Sequence, residues 1–200
     1  MRGFGGANKF RRNGRETTKE IRFHGRGGQG TVVAMQILAT AVVGEGKYAA
    51  AFPTFGFERR GAPVAAFCRM DDKPIRERMQ VYRPDCLVVI DPGMIKSPQI
   101  FNGVKEGAIL VLNAVEPIRR VQYHKHLSMA GVVDATKIGL EEIGTSITNT
   151  CMLGAFSRAT DWVQLDSLLA SLEEFFSGAI LEKNIRCVER GFKETTITQY

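Results

Sequence analysis

The chain has 200 residues, 44% hydrophobic and 24% charged, which fits one soluble globular domain of ordinary size. No apolar run approaches the roughly 20 residues of a membrane helix, so no span is expected. The formal charge of +6 does not mark a nucleic-acid-binding domain. Residues 1–19 hold +5 of it, with Arg2, Lys9, Arg11, Arg12, Arg15 and Lys19 against Glu16 alone.

Residues 1–19 form a basic, Gly- and Arg-rich extension whose only large apolar residues are Phe4 and Phe10. Alone it buries too little to offset chain entropy. It reads as a disordered extension, or as an arm that orders against an acidic neighbour. No apolar segment follows its charges, which argues against a secretory signal. Residues 20–200 are read as the single folded domain. EIRFHG is its first strand, ended by the glycines of GRGGQG. TVVAMQILATAVVGEG reads as a helix, with Val33, Ile37, Leu38 and Ala41 at three- and four-residue spacing and Gly44 as the stop. A second strand is expected over 47–55, interrupted by Pro53, and a third at PVAAFCRM.

CLVVI, ending in Asp91-Pro92-Gly93, and AILVLNA, ending near Asn113, are continuous apolar runs of the kind found in parallel strands covered on both faces. GVVDATKIG is a sixth strand candidate. Helix-compatible pieces lie at 94–104, 116–127 and 146–159. The last third, through ERGF, reads as helical except near Gly178, with Asp166 as a cap. Strands alternating with helices predict an α/β fold: one Rossmann-like, doubly wound, mostly parallel sheet with a helical C-terminal part. Cys68, Cys86, Cys151 and Cys187 are scattered singly, with no CxxC pair, so neither a zinc site nor an iron–sulfur cluster is readable. Cys86 and Cys151 read as core residues, and the pattern suits reduced thiols in a cytoplasm.

Gly25, Gly27 and Gly30 match GxGxxG between a strand and a helix, the context in which free N–H groups at a helix start can receive a phosphate. A dinucleotide site also wants an acid at the end of the second strand, and KYAAAFPTFG offers none there. Glu45 precedes that strand and Glu58 follows it. The fingerprint is half met. The loop therefore reads as a site for a phosphate-bearing or other anionic ligand, as a structural turn, or as a surface that docks on a partner.

The stretches IRFHGRGGQGTVVAMQILATA, GKYAAAFPTFGFERRGAPVAAFCRMDDKPIRER, PDCLVVIDPG and TNTCMLGAF together resemble the gamma subunit, or gamma domain, of pyruvate:ferredoxin oxidoreductase and its relatives for other 2-oxoacids. GGQG followed by FPTFGFERRGAPV is the specific part. The resemblance implies a heteromeric enzyme of anaerobic metabolism, with alpha-, beta- and delta-type subunits beside this one. In that family thiamine diphosphate with Mg attacks the 2-oxo carbon, and carbon dioxide leaves. Electrons pass to 4Fe–4S clusters, and coenzyme A takes the acyl group. The gamma part is expected to hold no cofactor alone, to cover the active-site region and to help bind coenzyme A. The substrate is pyruvate or an aromatic or branched 2-oxoacid such as phenylglyoxylate. The acceptor is ferredoxin, or a flavin subunit passing electrons to NAD.

On that reading Arg26, Gly27, Gly28 and Gln29 sit at the loop tip, where they can meet a coenzyme A phosphate or a pantetheine amide. Glu58, Arg59 and Arg60 form a second candidate, since adjacent arginines can grip phosphate or carboxylate with fork geometry; an interface salt bridge is the plain alternative. Phe52, Pro53, Phe55 and Phe57 read equally as an exposed aromatic patch or as core. Asp91 and Asn113 end strands and are expected to line the cleft or cap helices. His24 reads as a hydrogen-bonded structural residue, and His124 and His126 lie in a segment read as helical, which argues against a metal. Asn149 and Gly154 fit a helix start and a close helix contact. Two other functions compete: a free-standing NAD-dependent Rossmann dehydrogenase, which lacks a declared catalytic group here, and a non-catalytic module binding nucleic acid through the tail.

Overall fold

The computed structural model describes residues 11–12, 15–16, 18–53, 60–116 and 125–200. Ahead of the main sheet, Arg11–Arg12 pair antiparallel with Arg15–Glu16. The first long strand, β1 (Lys19–Arg26), follows the two-residue period of a pleated chain. Ile21 and Phe23 enter the larger core, while Arg22 and His24 take the opposite face. After the glycine loop comes α1 (Thr31–Gly44), which buries Ala34, Met35, Ile37, Leu38, Ala41 and Val42. That stripe follows the helical spacing visible in the sequence, and the helix ends at the expected glycine.

The chain returns as β2 (Tyr48–Pro53) and β3 (Pro63–Asp71), which pair antiparallel with each other, and β3 pairs antiparallel with β1. On the other side of β1 run β4 (Cys86–Val89), β5 (Ala108–Asn113) and β6 (Leu127–Val133), all parallel. The last strand, β7 (Thr196–Gln199), pairs antiparallel with β6. The sheet order is β2-β3-β1-β4-β5-β6-β7. The expected α/β sheet is therefore present, with a parallel centre and antiparallel margins.

Four more α-helices follow among the described residues: α2 (Ala135–Glu142), α3 (Asn149–Thr160), α4 (Leu165–Ser171) and α5 (Gly178–Glu194). The larger core packs α1, α3, α4 and α5 against one face of the sheet, with Ile21, Phe23, Ile37, Leu38 and Phe156 wholly buried. Each such side chain contributes about 1.5–3 kcal/mol. α3 is buried along almost its whole length, exposing Arg158. It meets α5 at backbone contact. A methyl at Gly154 would strike the Val188 carbonyl, and one at Gly191 the Cys151 carbonyl. The second face is covered more thinly. Under β4–β6 it packs Leu87, Val89, Leu110 and Leu112 against Ile100 and Phe101 of a 3-10 turn, Pro98–Phe101, with Met94 and Ile95 of another, Pro92–Lys96, partly buried beside them.

Four local expectations change. In GVVDATKIG only GVV is strand; Asp134 caps α2, accepting from the Lys137 N–H at 3.0 Å, so ATKIG is helical. Residues 94–104 hold 3-10 turns rather than an α-helix, because Pro98 inside the stretch has no N–H to continue a helical ladder. Asp166 lies within the first turn of α4, two residues past the cap, which is Gln164. His126 sits in the turn before β6, not in a helix, and its Nδ1 lies 3.0 Å from Glu106 Oε2.

Candidate functional site

The carboxyl ends of β1 and β4 lie side by side where the strand order reverses, since the chain leaves β1 for β2 and β3 on one side and resumes with β4 on the other. Crevices at such switch points are where α/β sheets bind ligands. Here the crevice holds the glycine loop. Gly28 has φ 94° and Gly30 φ 73°, left-handed values that suit glycine. Gly25 packs on the Thr31 hydroxyl, and a methyl at Gly30 would run into the Asn149 side chain. Gly30 is also the residue preceding α1, so no side chain caps that helix start. The Thr31 hydroxyl is buried and has no hydrogen-bond partner among the described residues.

Side chains give the loop its shape. Gln29 Oε1 accepts from the Arg26 backbone N–H at 2.7 Å, and Gln29 Nε2 donates to Asp91 Oδ2 at 2.8 Å. The same Asp91 oxygen lies 3.3 Å from Arg26 Nε. Asp91 Oδ1 accepts from Gly93 N at 3.0 Å, which caps the turn after β4. Arg26 Nη1 donates to the Gly61 carbonyl at 3.1 Å. Two backbone bonds, Gly27 N to Ala62 O at 2.9 Å and Gly61 N to Gly27 O at 3.1 Å, clip the loop to residues 61–62. Arg60 is exposed and its Cγ approaches the Gly28 position. The structure thus brings Arg26, Gly27, Gly28, Gln29 and Arg60 together. Glu58 and Arg59, with Phe55 and Phe57, lie outside the described residues, as does His124. Phe52 is half-buried and stacks obliquely on Phe67 at 5.7 Å.

Beneath the loop, Arg22 Nε donates to His24 Nε2 at 3.1 Å. This fixes the proton of the neutral ring on Nδ1. Burial, reinforced by the Arg22 charge, pushes the His24 pKa down to about 3. His24 is a hydrogen-bonded structural residue, as its place in the sequence suggested. Arg22 itself escaped sequence reasoning. It reaches the carbonyls of Val81, Ile100 and Asn102, while Arg69 reaches those of Met79 and Gln80 and the Glu20 carboxylate. The two guanidiniums tie the strap 79–81 across this face. Nothing in the local sequence signals this, because the acceptors are main-chain oxygens on remote loops.

Asn113 donates to the Ile90 carbonyl at 2.9 Å and meets Thr136 on α2. It joins the ends of β4 and β5 to α2 and lines a cleft of about 560 Å³ with Pro92, Ala114, Val115, Thr136 and Leu140. Asp91 lies beside this cleft rather than in it. The four cysteines are buried thiols; burial pushes Cys68 up to about 12 and Cys187 up to about 11. Among the described residues no cluster of His, Cys, Asp and Glu could hold a metal, and no helix is long and apolar enough to cross a membrane.

An α/β domain with a polar glycine loop at its switch point belongs to the class that holds a ligand or a partner at the carboxyl edge of its sheet. The comparisons narrow this. The family model described as pyruvate ferredoxin/flavodoxin oxidoreductase matches residues 20–194. The pyruvate/ketoisovalerate oxidoreductases common subunit gamma of Thermococcus kodakarensis is 49% identical over 180 residues, 89% of this chain and 97% of that one. The NADH-dependent phenylglyoxylate dehydrogenase subunit gamma of Aromatoleum evansii is 49% identical over 179 residues, 89% of this chain and 94% of that one. The crystal structure of pyruvate oxidoreductase subunit PORC from Thermotoga maritima superposes with a TM-score of 0.81 at 40% identity, covering 91% of this chain and 99% of that one. The chain belongs to the pyruvate ferredoxin/flavodoxin oxidoreductase family, as the gamma-type subunit of a multi-subunit 2-oxoacid oxidoreductase.

Proposed function

We propose that this chain covers the active-site region of its partner subunits and helps hold coenzyme A during the oxidative decarboxylation of a 2-oxoacid to an acyl-CoA and carbon dioxide. The observation that carries the reading is the convergence of the glycine loop and residues 60–62 at the switch point. Arg26 and Arg60 supply charge for phosphate oxygens there, and the uncapped start of α1 supplies N–H groups. Gly27 and Gly28 let a ligand approach the backbone, and Gln29 shapes the loop; Glu58 and Arg59 belong to the same segment as Arg60. These residues suit an anionic, amide-containing molecule, and coenzyme A is both. When bound, it supplies the thiol that takes the acyl group.

Thiamine diphosphate, Mg and the 4Fe–4S clusters belong to the alpha-, beta- and delta-type partners on this reading, and this chain holds no cofactor alone. Relatives are named for pyruvate, ketoisovalerate and phenylglyoxylate, so the substrate is pyruvate or an aromatic or branched 2-oxoacid. The acceptor is ferredoxin, or a flavin subunit feeding NAD. The enzyme works in the cytoplasm. Residues 1–19 are an extension ahead of the domain at 20–200.

Affinity purification of the native chain tests the assembly: larger subunits bearing thiamine and clusters are expected with it. A stable monomer that binds NADH tightly would instead favour a free-standing dehydrogenase. In the assembled complex, replacing Arg26 or Arg60 by Ala should raise the KM for coenzyme A by about tenfold or more, the effect of losing one charge-assisted hydrogen bond.

A further inference from the structure

We propose that Asp91 is the positioning residue of the glycine loop, acting from the end of the neighbouring strand to fix Gln29 and with it the loop, and to set Arg26 for ligand contact. The inference rests on the loop being a coenzyme A contact.

One carboxylate oxygen serves both loop residues: Asp91 Oδ2 takes Gln29 Nε2 at 2.8 Å and lies 3.3 Å from Arg26 Nε. A carboxylate only accepts, so Gln29 must turn its NH2 toward Asp91 and its oxygen toward the loop. That oxygen is the one that accepts the Arg26 backbone N–H. The charge on Asp91 therefore dictates which way the Gln29 amide faces, and the amide dictates where the loop backbone runs. Arg26 is gripped at Nε by Asp91 and at Nη1 by the Gly61 carbonyl. Among the described residues Nη2 makes no hydrogen bond, and the side chain keeps 41% of its surface. This is a guanidinium with its orientation fixed and one edge left for a ligand.

Asp91 can serve as the fixed point because it is itself fixed. Its other oxygen accepts from Gly93 N, and Pro92 follows it directly. Stability alone does not account for the arrangement, since an ion pair with one partner so exposed contributes little. The placement is also apt. Asp91 follows β4, the parallel neighbour of β1, so the strand-order reversal sets it directly beside the loop.

The test is steady-state kinetics of the assembled complex carrying Asp91→Asn, Arg26→Ala, or Asp91→Asn within an Arg26→Ala/Gln29→Ala background. Asparagine keeps the shape and can still accept from Gly93 N, so folding is preserved. The expected result is a KM for coenzyme A raised about tenfold by Asp91→Asn, with kcat and the KM for the 2-oxoacid within about twofold. In the Arg26→Ala/Gln29→Ala background Asp91→Asn should add little, because the groups it acts through are gone. Amide hydrogen exchange at Arg26 should also quicken in Asp91→Asn. If Arg26→Ala raises the coenzyme A KM and Asp91→Asn does not, the positioning role is overturned and the loop reading stands. If Arg26→Ala has no effect either, the loop reading fails and takes this inference with it. Equal changes in the KM for coenzyme A and for the 2-oxoacid would mark a general structural role and overturn the proposal.

Discussion

Protonation of His24 should destabilise the chain in mildly acidic solution, and the size of the effect follows from its surroundings. The ring is about nine-tenths buried, accepts from Arg22 Nε, and has its pKa pushed from 6.5 down to about 3 by burial and by the Arg22 charge. The unfolded chain takes up a proton on falling through 6.5, whereas the folded chain refuses it until about pH 3. The stabilising difference is therefore fully present above pH 6.5 and drains away as the pH falls toward 3. Between pH 7 and pH 5 the loss is about 2 kcal/mol. With a urea m-value of about 2 kcal/mol/M, the midpoint should drop by about 1 M. Most carboxylates stay ionised in this interval, and His124 and His126 are present in every variant compared, so the difference between variants isolates His24. The perturbation is His24→Gln, which can still present an oxygen to Arg22 but cannot titrate. Urea unfolding at pH 7 and pH 5 should show the large drop in the parent chain and a much smaller one in the variant. Equal drops in both, or an NMR titration of the His24 ring near its ordinary value, would refute the reasoning.

Gly30→Ala should cost at least about 2 kcal/mol, from a left-handed residue gaining a side chain and from displacement of Asn149; the melting temperature reads this. Asn113→Ala leaves the Ile90 carbonyl without that donor and frees Thr136, so a loss of about 1–3 kcal/mol is expected in denaturant titration. All four cysteines should resist a thiol-specific reagent at pH 8 while the chain is folded and react fully once it is unfolded, because burial raises every thiol. Rapid labelling of the native chain would show that one of them is accessible.

The α/β class was legible because β4 and β5 are covered on both faces, which forces continuous apolar runs such as CLVVI and AILVLNA. The glycine loop was legible because its residues are consecutive and each glycine has a local duty. The pairings were not. β3 runs antiparallel to β1 although some forty residues separate them, and nothing in PVAAFCRM declares a direction. The strand TITQ follows a long helix so closely that it passed unread, though its threonines and isoleucine are β-formers. The link from Asp91 to Gln29 spans 62 residues. Sequence spacing placed Asp91 near a cleft, but only the fold shows that its carboxylate faces the loop. Arg22 was equally opaque, since a guanidinium that binds carbonyl oxygens leaves no acidic partner to notice.

The closing strand has a consequence for biogenesis. Residues 196–199 hydrogen-bond to 129–132, which are laid down far earlier in synthesis. Until residues 196–199 emerge, that flank of the nascent sheet has backbone donors and acceptors unmatched, open to any passing strand. A ribosome that released the polypeptide just ahead of residue 196 would leave the two buried cores largely in place and the β6 border adhesive.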